Sequence, residues 1–235
     1  MNKSFLARSL HKWIGLFVGI QVLIWLATGL YMVVLDLDFI HGDPLVKNTQ
    51  QTLTVPISTQ VSLNDLRQQY PAATGISLQL QMGQPFFSVT TAEERLLINA
   101  QSGEIVSPLD EKTARAVAVF HFNGNDPVRN IELLTTNPPT EIGRRPLPLW
   151  RVDFDDRFNT SFYINPFSGA LVTRRHQYWR IFDFAFMLHI MDYDERSDSH
   201  NLLLKIAQFV GVGFAITGLW LLFYSFNRRR KPVVK

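Results

Sequence analysis

Six histidines and no cysteines bound the chemistry open to this 235-residue chain. Without thiols there is no disulfide framework, Cys-ligated zinc, iron–sulfur cluster or thiol nucleophile. Metal or redox work then falls to His, Met, Tyr, carboxylates or a bound cofactor. His11 is followed on one helical face by Gly15, Val22 and Gly29, and His200 by Leu204, Ala207, Gly211 and Gly218. Small residues in line with a terminal imidazole leave room for a bulky, flat group beside the helix. They equally allow close helix contact, and Gly15-Leu-Phe-Val-Gly19 is a small-xxx-small pattern. His189 lies behind Phe182, Ala185 and Phe186 on an apolar face, while His176, Arg180 and Asp183 share the polar side of that segment, so His176 reads as surface. A histidine on an apolar face is ordinarily a satisfied core residue, but one at the rim of a bilayer invites a functional reading.

Carboxylates supply the second set of candidates. Asp192, Asp194, Glu195 and Asp198 stand between His189 and His200. As hard oxygen ligands they suit Fe(III) better than Fe(II). The plainer alternative is that Asp198 or Ser197 caps a following helix and the acids mark its flank. His41 neighbours Asp36, Asp38 and Asp43, which allows a metal cluster or simply a solvated loop. His121, backed by Ala114, Val117 and Ala118, reads as core. The chain carries no GxGxxG, P-loop, flavin, HExxH or Ser-His-Asp signature, so any redox role would have to draw electrons from quinol in the membrane or from a separate reductase.

Two long apolar runs must position these groups. Residues 13–35 hold no charge, and residues 206–226 repeat the pattern. Each exceeds the roughly 20 residues that cross a hydrocarbon core about 30 Å thick. A signal peptide has a shorter apolar core, so the first run is expected to stay in the mature protein. Lys3, Arg8 and Lys12 precede the first run, and Arg228, Arg229, Arg230, Lys231 and Lys235 follow the second. The positive-inside tendency then puts both termini in the cytoplasm and residues 36–200 outside. The net charge of +3 comes mostly from these flanks, and a basic tail abutting a span argues against nucleic acid. A span of about 23 residues is roughly 35 Å long, which sets His11 and His200 at opposite membrane faces.

Between the spans the sequence repeats itself. Leu97-Ile-Asn-Ala-Gln-Ser-Gly-Glu-Ile-Val106 matches Tyr163-Ile-Asn-Pro-Phe-Ser-Gly-Ala-Leu-Val172, and Pro85-Phe-Phe-Ser-Val89 matches Pro148-Leu-Trp-Arg-Val152. Each copy reads as a strand, a tight turn with Gly103 or Gly169 at a positive-φ position, and a second strand. Helices are expected over residues 62–70 and 110–122, and strands over 76–82, 86–90, 95–99, 150–154, 160–165 and 170–173. Residues 45–61 suit a linker. The fold class is α+β: two transmembrane helices, at 13–35 and 201–226, flank two related helix-plus-antiparallel-sheet units within 36–175. Residues 176–200 form an interfacial helix and acidic loop. Short cytoplasmic ends, 1–12 and 227–235, complete the layout.

The paired units, the Tyr-Ile-Asn-Pro-Phe-Ser-Gly turn, the opening His11-Lys-Trp-Ile-Gly15 and the segment Phe186-Met-Leu-His189-Ile-Met-Asp-Tyr193 resemble the PepSY-associated transmembrane family over nearly the whole chain. The resemblance implies a periplasmic domain of two PepSY-like units in a bacterial inner-membrane protein. Small members look like ferric reductases that hold haem b, one or two per assembly, take Fe(III) as substrate and assist ferrous iron uptake. It turns the histidine stripes towards haem, with His189 and His200 as the first ligand pair and His11 next, paired with its mate in a homodimer. Asp192, Asp194, Glu195, Asp198 and His41 become candidates to receive the ion. Trp25, Trp179 and Tyr193 could assist transfer, although aromatic residues at membrane interfaces usually anchor. Membrane lipid and a ferrous iron transporter are the other expected partners. Rival expectations are a non-enzymatic, membrane-tethered regulator that binds a protease, or an accessory subunit of an iron transporter.

Overall fold

The computed structural model describes residues 3–47 and 59–226, so most of the expected linker and the basic tail lie outside the described residues. The chain divides into two compact units, one spanning Asp36–Arg180 and the other combining the segment up to Leu35 with everything from Ile181.

In the second of these, α1 (Lys3–Val34) and α6 (Leu202–Phe226) are the long apolar helices. Their stretches His11–Val34 and Leu202–Trp220 are long and apolar enough to cross a membrane. Phe17, Leu23, Val33 and Phe209 are bare of protein cover, as lipid-facing side chains are. Helix α1 runs further towards the N-terminus than the uncharged stretch alone implied. Helix α5 (Gln177–Ile190) starts in the other unit and ends in this one.

The Asp36–Arg180 unit holds the repeat. After the short α2 (Leu37–His41), α3 (Leu63–Gln69) begins with a capping box in which the Ser62 hydroxyl and the Asp65 side chain satisfy each other's backbone N–H. Strands β1 (Gly75–Gln81), β2 (Gln84–Thr90) and β3 (Arg95–Asn99) form an antiparallel sheet in that order. Helix α4 (Glu111–His121), capped by Asp110, then precedes a second sheet of β4 (Val128–Leu134), β5 (Leu149–Phe154), β6 (Ser161–Ile164) and β7 (Leu171–Arg175).

Register confirms the internal repeat residue by residue. Phe87 faces Ile98 across β2 and β3, and the matching Trp150 faces Ile164 across β5 and β6. In the first turn, Asn99 Oδ1 accepts from the N–H groups of Gln101 and Ser102, and Gly103 donates to the Asn99 carbonyl at 2.8 Å. Asn165 does the same with Phe167, Ser168 and Gly169. Gly103 and Gly169 take φ of 76° and 65°. A side chain at Gly169 would also collide with Gln81. The first copy differs in one respect: its second strand shrinks to a single bridge between Ile98 and Ile105.

Each repeat packs against the helix before it. Leu66 of α3 covers Phe87, Val89, Leu96 and Ile98. Val117 and Ala118 of α4 cover Val152, Phe154, Phe162 and Ile164, and Phe86 and Leu97 from the back of the first sheet join that same core. With both faces covered, β2 is buried continuously rather than alternately.

Candidate functional site

His189 sits in the last turn of α5, and the α1 side chain that meets it is Thr28. Thr28 Oγ1 lies 2.9 Å from His189 Nδ1 and 2.7 Å from the Ile24 carbonyl one turn back. A hydroxyl carries one proton, and here the helix carbonyl takes it. Oγ1 therefore accepts from His189, which puts a proton on Nδ1; in the tautomer this selects, Nε2 carries the lone pair. No hydrogen bond engages Nε2 among the described residues. Trp25 Nε1 donates to the His189 carbonyl at 2.8 Å, tying the end of α5 to α1. Gly29 lies beside the ring, where a Cβ would make an ordinary contact with Cε1 at 3.5 Å.

His11 repeats the pattern more loosely. Its Nδ1 lies 3.3 Å from Thr217 Oγ1, and that hydroxyl donates to the Phe214 carbonyl at 2.8 Å. The Phe214 ring stacks on the imidazole at 4.4 Å, and a Cβ at Gly15 would strike the same ring at 2.9 Å. At Gly15, then, the small residue serves helix contact rather than an open face. Gly19, Gly211 and Gly218 differ, because nothing lies within 4 Å of a Cβ placed there.

His200 is exposed at the start of α6, its backbone N–H bonded to Asp198 Oδ1 at 2.7 Å and its Nδ1 3.4 Å from the Ser199 hydroxyl. No hydrogen bond or ring contact joins it to His189. The helix cap proves to be Asn201 rather than Asp198 or Ser197: Asn201 Oδ1 accepts from the Leu204 N–H, and its Nδ2 reaches the Ile190 carbonyl. Asn outranks its neighbours here because one side chain serves the cap and the end of α5 together.

The sequence here matches the PepSY-associated TM region family over residues 8–234. The chain belongs to that family. No curated protein and no solved structure matches it. Membership and the two apolar helices make it a membrane protein.

In this PepSY-associated protein the acidic loop is organised around itself. Asp192 accepts backbone N–H groups from Asp198, Ser197 and Asp194, at 2.8, 2.9 and 3.4 Å. The Asp198 and Ser197 bonds, outweighing desolvation, hold its carboxyl below the usual range. Asp194, Glu195 and Asp198 are exposed. His41 is exposed too; its carbonyl accepts from Arg174 Nε, Asp43 pairs with Arg174, and Asp36 caps α2. No group of three or more His, Asp or Glu side chains with metal-holding geometry occurs among the described residues.

Two histidines depart from the sequence reading. His176 is not surface: it is wholly buried, with Nε2 donating to the carbonyls of Phe39 and Ile40 at 2.9 and 3.1 Å. Phe39, Phe158 and Tyr178 ring it, and burial pushes its pKa down. His121 is half-buried at the end of α4, on a cavity of about 390 Å³ beside Gln81 and Met82, rather than deep in the core.

A charged network escaped the sequence reading altogether. Arg180 grips Glu141 through Nε at 2.6 Å and Nη2 at 3.2 Å, and reaches Ser161 Oγ at 2.8 Å. Tyr163 donates to Glu141, and Ser161 passes the chain on to Asp153 and Arg151. Burial alone would raise the Glu141 carboxyl, but Arg180 and Tyr163 hold it below the usual range. The fixed points are mutually satisfied, so the network braces the second sheet.

Proposed function

We propose that this protein is a haem-b protein of the bacterial cytoplasmic membrane that passes electrons outward and reduces Fe(III) to Fe(II) in support of ferrous iron uptake. In this reading both termini are cytoplasmic and the Asp36–Arg180 unit is periplasmic, as the basic flanks favour. The supporting observation is the Thr28–His189 pair, which holds Nδ1 and leaves Nε2 without a hydrogen-bond partner beside a membrane helix. Nε2 is a nitrogen an iron porphyrin can use, and a second-side partner on Nδ1 is how proteins orient such ligands.

The residues fit the group at His189 and, less tightly, at His11. His200 lacks any partner that would orient it from α1 or α5. When bound, haem supplies one-electron redox chemistry that the chain's own side chains cannot. The protein's part is to set the ring orientation through Thr28 and to pin the helix end through Trp25. With one oriented imidazole at each position, bis-histidine ligation draws its second ring from another copy, which is why a homodimer belongs to the proposal. Fe(III) is substrate, met on the outer side, and the acidic loop attracts it by charge.

The test is the full chain in liposomes with a reductant sealed inside and Fe(III) with a ferrous chelator outside. Fe(II) should appear outside with wild type and fall to the level of empty liposomes with His189→Ala. Wild type no faster than empty liposomes would end the proposal.

A further inference from the structure

We propose that the recess between α1 and α6 binds the head of a membrane quinone. The inference rests on the outward electron-transfer reading, which requires a donor, and it gives that donor a place. The recess is an open groove of about 740 Å³, within the range of small-molecule sites. On α1 it runs from Phe17 to Trp25 and on α6 from Leu203 to Ala215, and Met191 beyond α5 also lines it. Gly19 and Gly211 line it, and a Cβ at either would meet nothing within 4 Å.

The chemistry of the lining narrows the occupant. No histidine lines the recess, so it is not where an imidazole would hold iron. Gln21 lines it, and Gln21 Nε2 is shielded from solvent with no hydrogen-bond partner. Gln21 falls near the middle of the His11–Val34 stretch, away from water and from lipid carbonyls at the interface. An unpaired amide there is costly, and a turn of the Gln21 side chain towards the recess lets a bound ligand complete it. A quinone presents a carbonyl and a quinol a hydroxyl, each on a flat apolar ring whose tail can remain in lipid. A carboxamide pairs with either. Oxidising one quinol to its quinone frees two electrons, enough for two Fe(III), and two protons that must leave for the aqueous face, since no titratable side chain lines the recess.

The experiment titrates a short-tailed ubiquinone into the full chain in lipid nanodiscs and follows tryptophan quenching, Trp25 being in the lining. Wild type should quench saturably above the partitioning seen with empty nanodiscs. Gly211→Leu, whose Cβ meets nothing within 4 Å and whose side chain adds bulk to the lining, should weaken binding at least tenfold. Gln21→Leu should weaken it about tenfold, the loss expected of one buried hydrogen bond. Unsaturable quenching in wild type, or Gly211→Leu binding as wild type does, overturns the proposal. So does a result in which Gly211→Leu splits a dimer and leaves quenching unchanged, because the occupant is then a second copy. The haem spectrum of the same samples separates the two readings: haem without saturable quenching removes the quinone site alone, and saturable quenching without haem removes the reductase alone.

Discussion

His176 and His189 bracket one helix, and each has one ring nitrogen bonded, yet the bonded nitrogen differs. At His176, Nε2 donates to two carbonyls, while Nδ1 is sealed in with no partner. At His189, Nδ1 donates to Thr28, while Nε2 has no hydrogen-bond partner among the described residues. The first imidazole is spent on holding α2 in place within the Asp36–Arg180 unit. The second is held by its far side, with Nε2 unspent. In the proposed reading, what suits a histidine to be a ligand is the partner that selects its tautomer, not the polarity of the helix face on which it stands.

The contrast can be broken or sharpened by substitution. The largest effect on folding should come from His176→Ala, which empties a fully buried site and frees two carbonyls; a loss of about 3 kcal/mol in unfolding free energy is expected, read by denaturant melts, with haem content per folded protein unchanged. Thr28→Val removes the acceptor but keeps the shape, and should weaken haem retention about tenfold, or roughly 1.4 kcal/mol, in apomyoglobin competition, with no shift in the melt. Thr217→Val, at the longer His11 contact, should change haem retention less than Thr28→Val does; an equal or larger loss would reverse the ranking of the two sites.

Acid should touch His176 through folding. Burial keeps its pKa below the ordinary value, so its contribution is complete above the usual histidine range and fades as pH falls through that range towards the buried ring's lower value. Glu141, also depressed, adds a second loss only at lower pH, beneath the usual carboxylate range. Thermal melts from neutral to acid pH should show both steps, and His176→Gln should lack the first.

Much of this was legible in the sequence for physical reasons. The second apolar run, the capped helices α3 and α4 and the twin Asn-x-x-Ser-Gly turns are local signals, and each formed where expected within a residue or two, whereas α1 starts at Lys3, well before the first uncharged run. Strand β4 was missed because a bulge between Val128 and Asn130 breaks the two-residue period, and as an edge strand it leaves Arg129, Asn130 and Glu132 exposed. The burial of His176 depends on Phe39, and the Glu141–Arg180 brace on residues 39 apart. Thr28 and His189 are separated by 161 positions, so no spacing rule could join them. Pairs of that kind are the products of tertiary structure, and only the small residue Gly29 hinted that something lay close.

The measurement that bears most directly on the central claim is the reduced-minus-oxidised optical spectrum of the purified full chain, taken for wild type, His189→Ala and His176→Gln side by side. A b-type band in wild type and His176→Gln that vanishes in His189→Ala is the predicted result. A wild type without the band, or a His189→Ala protein that keeps it, would contradict the account.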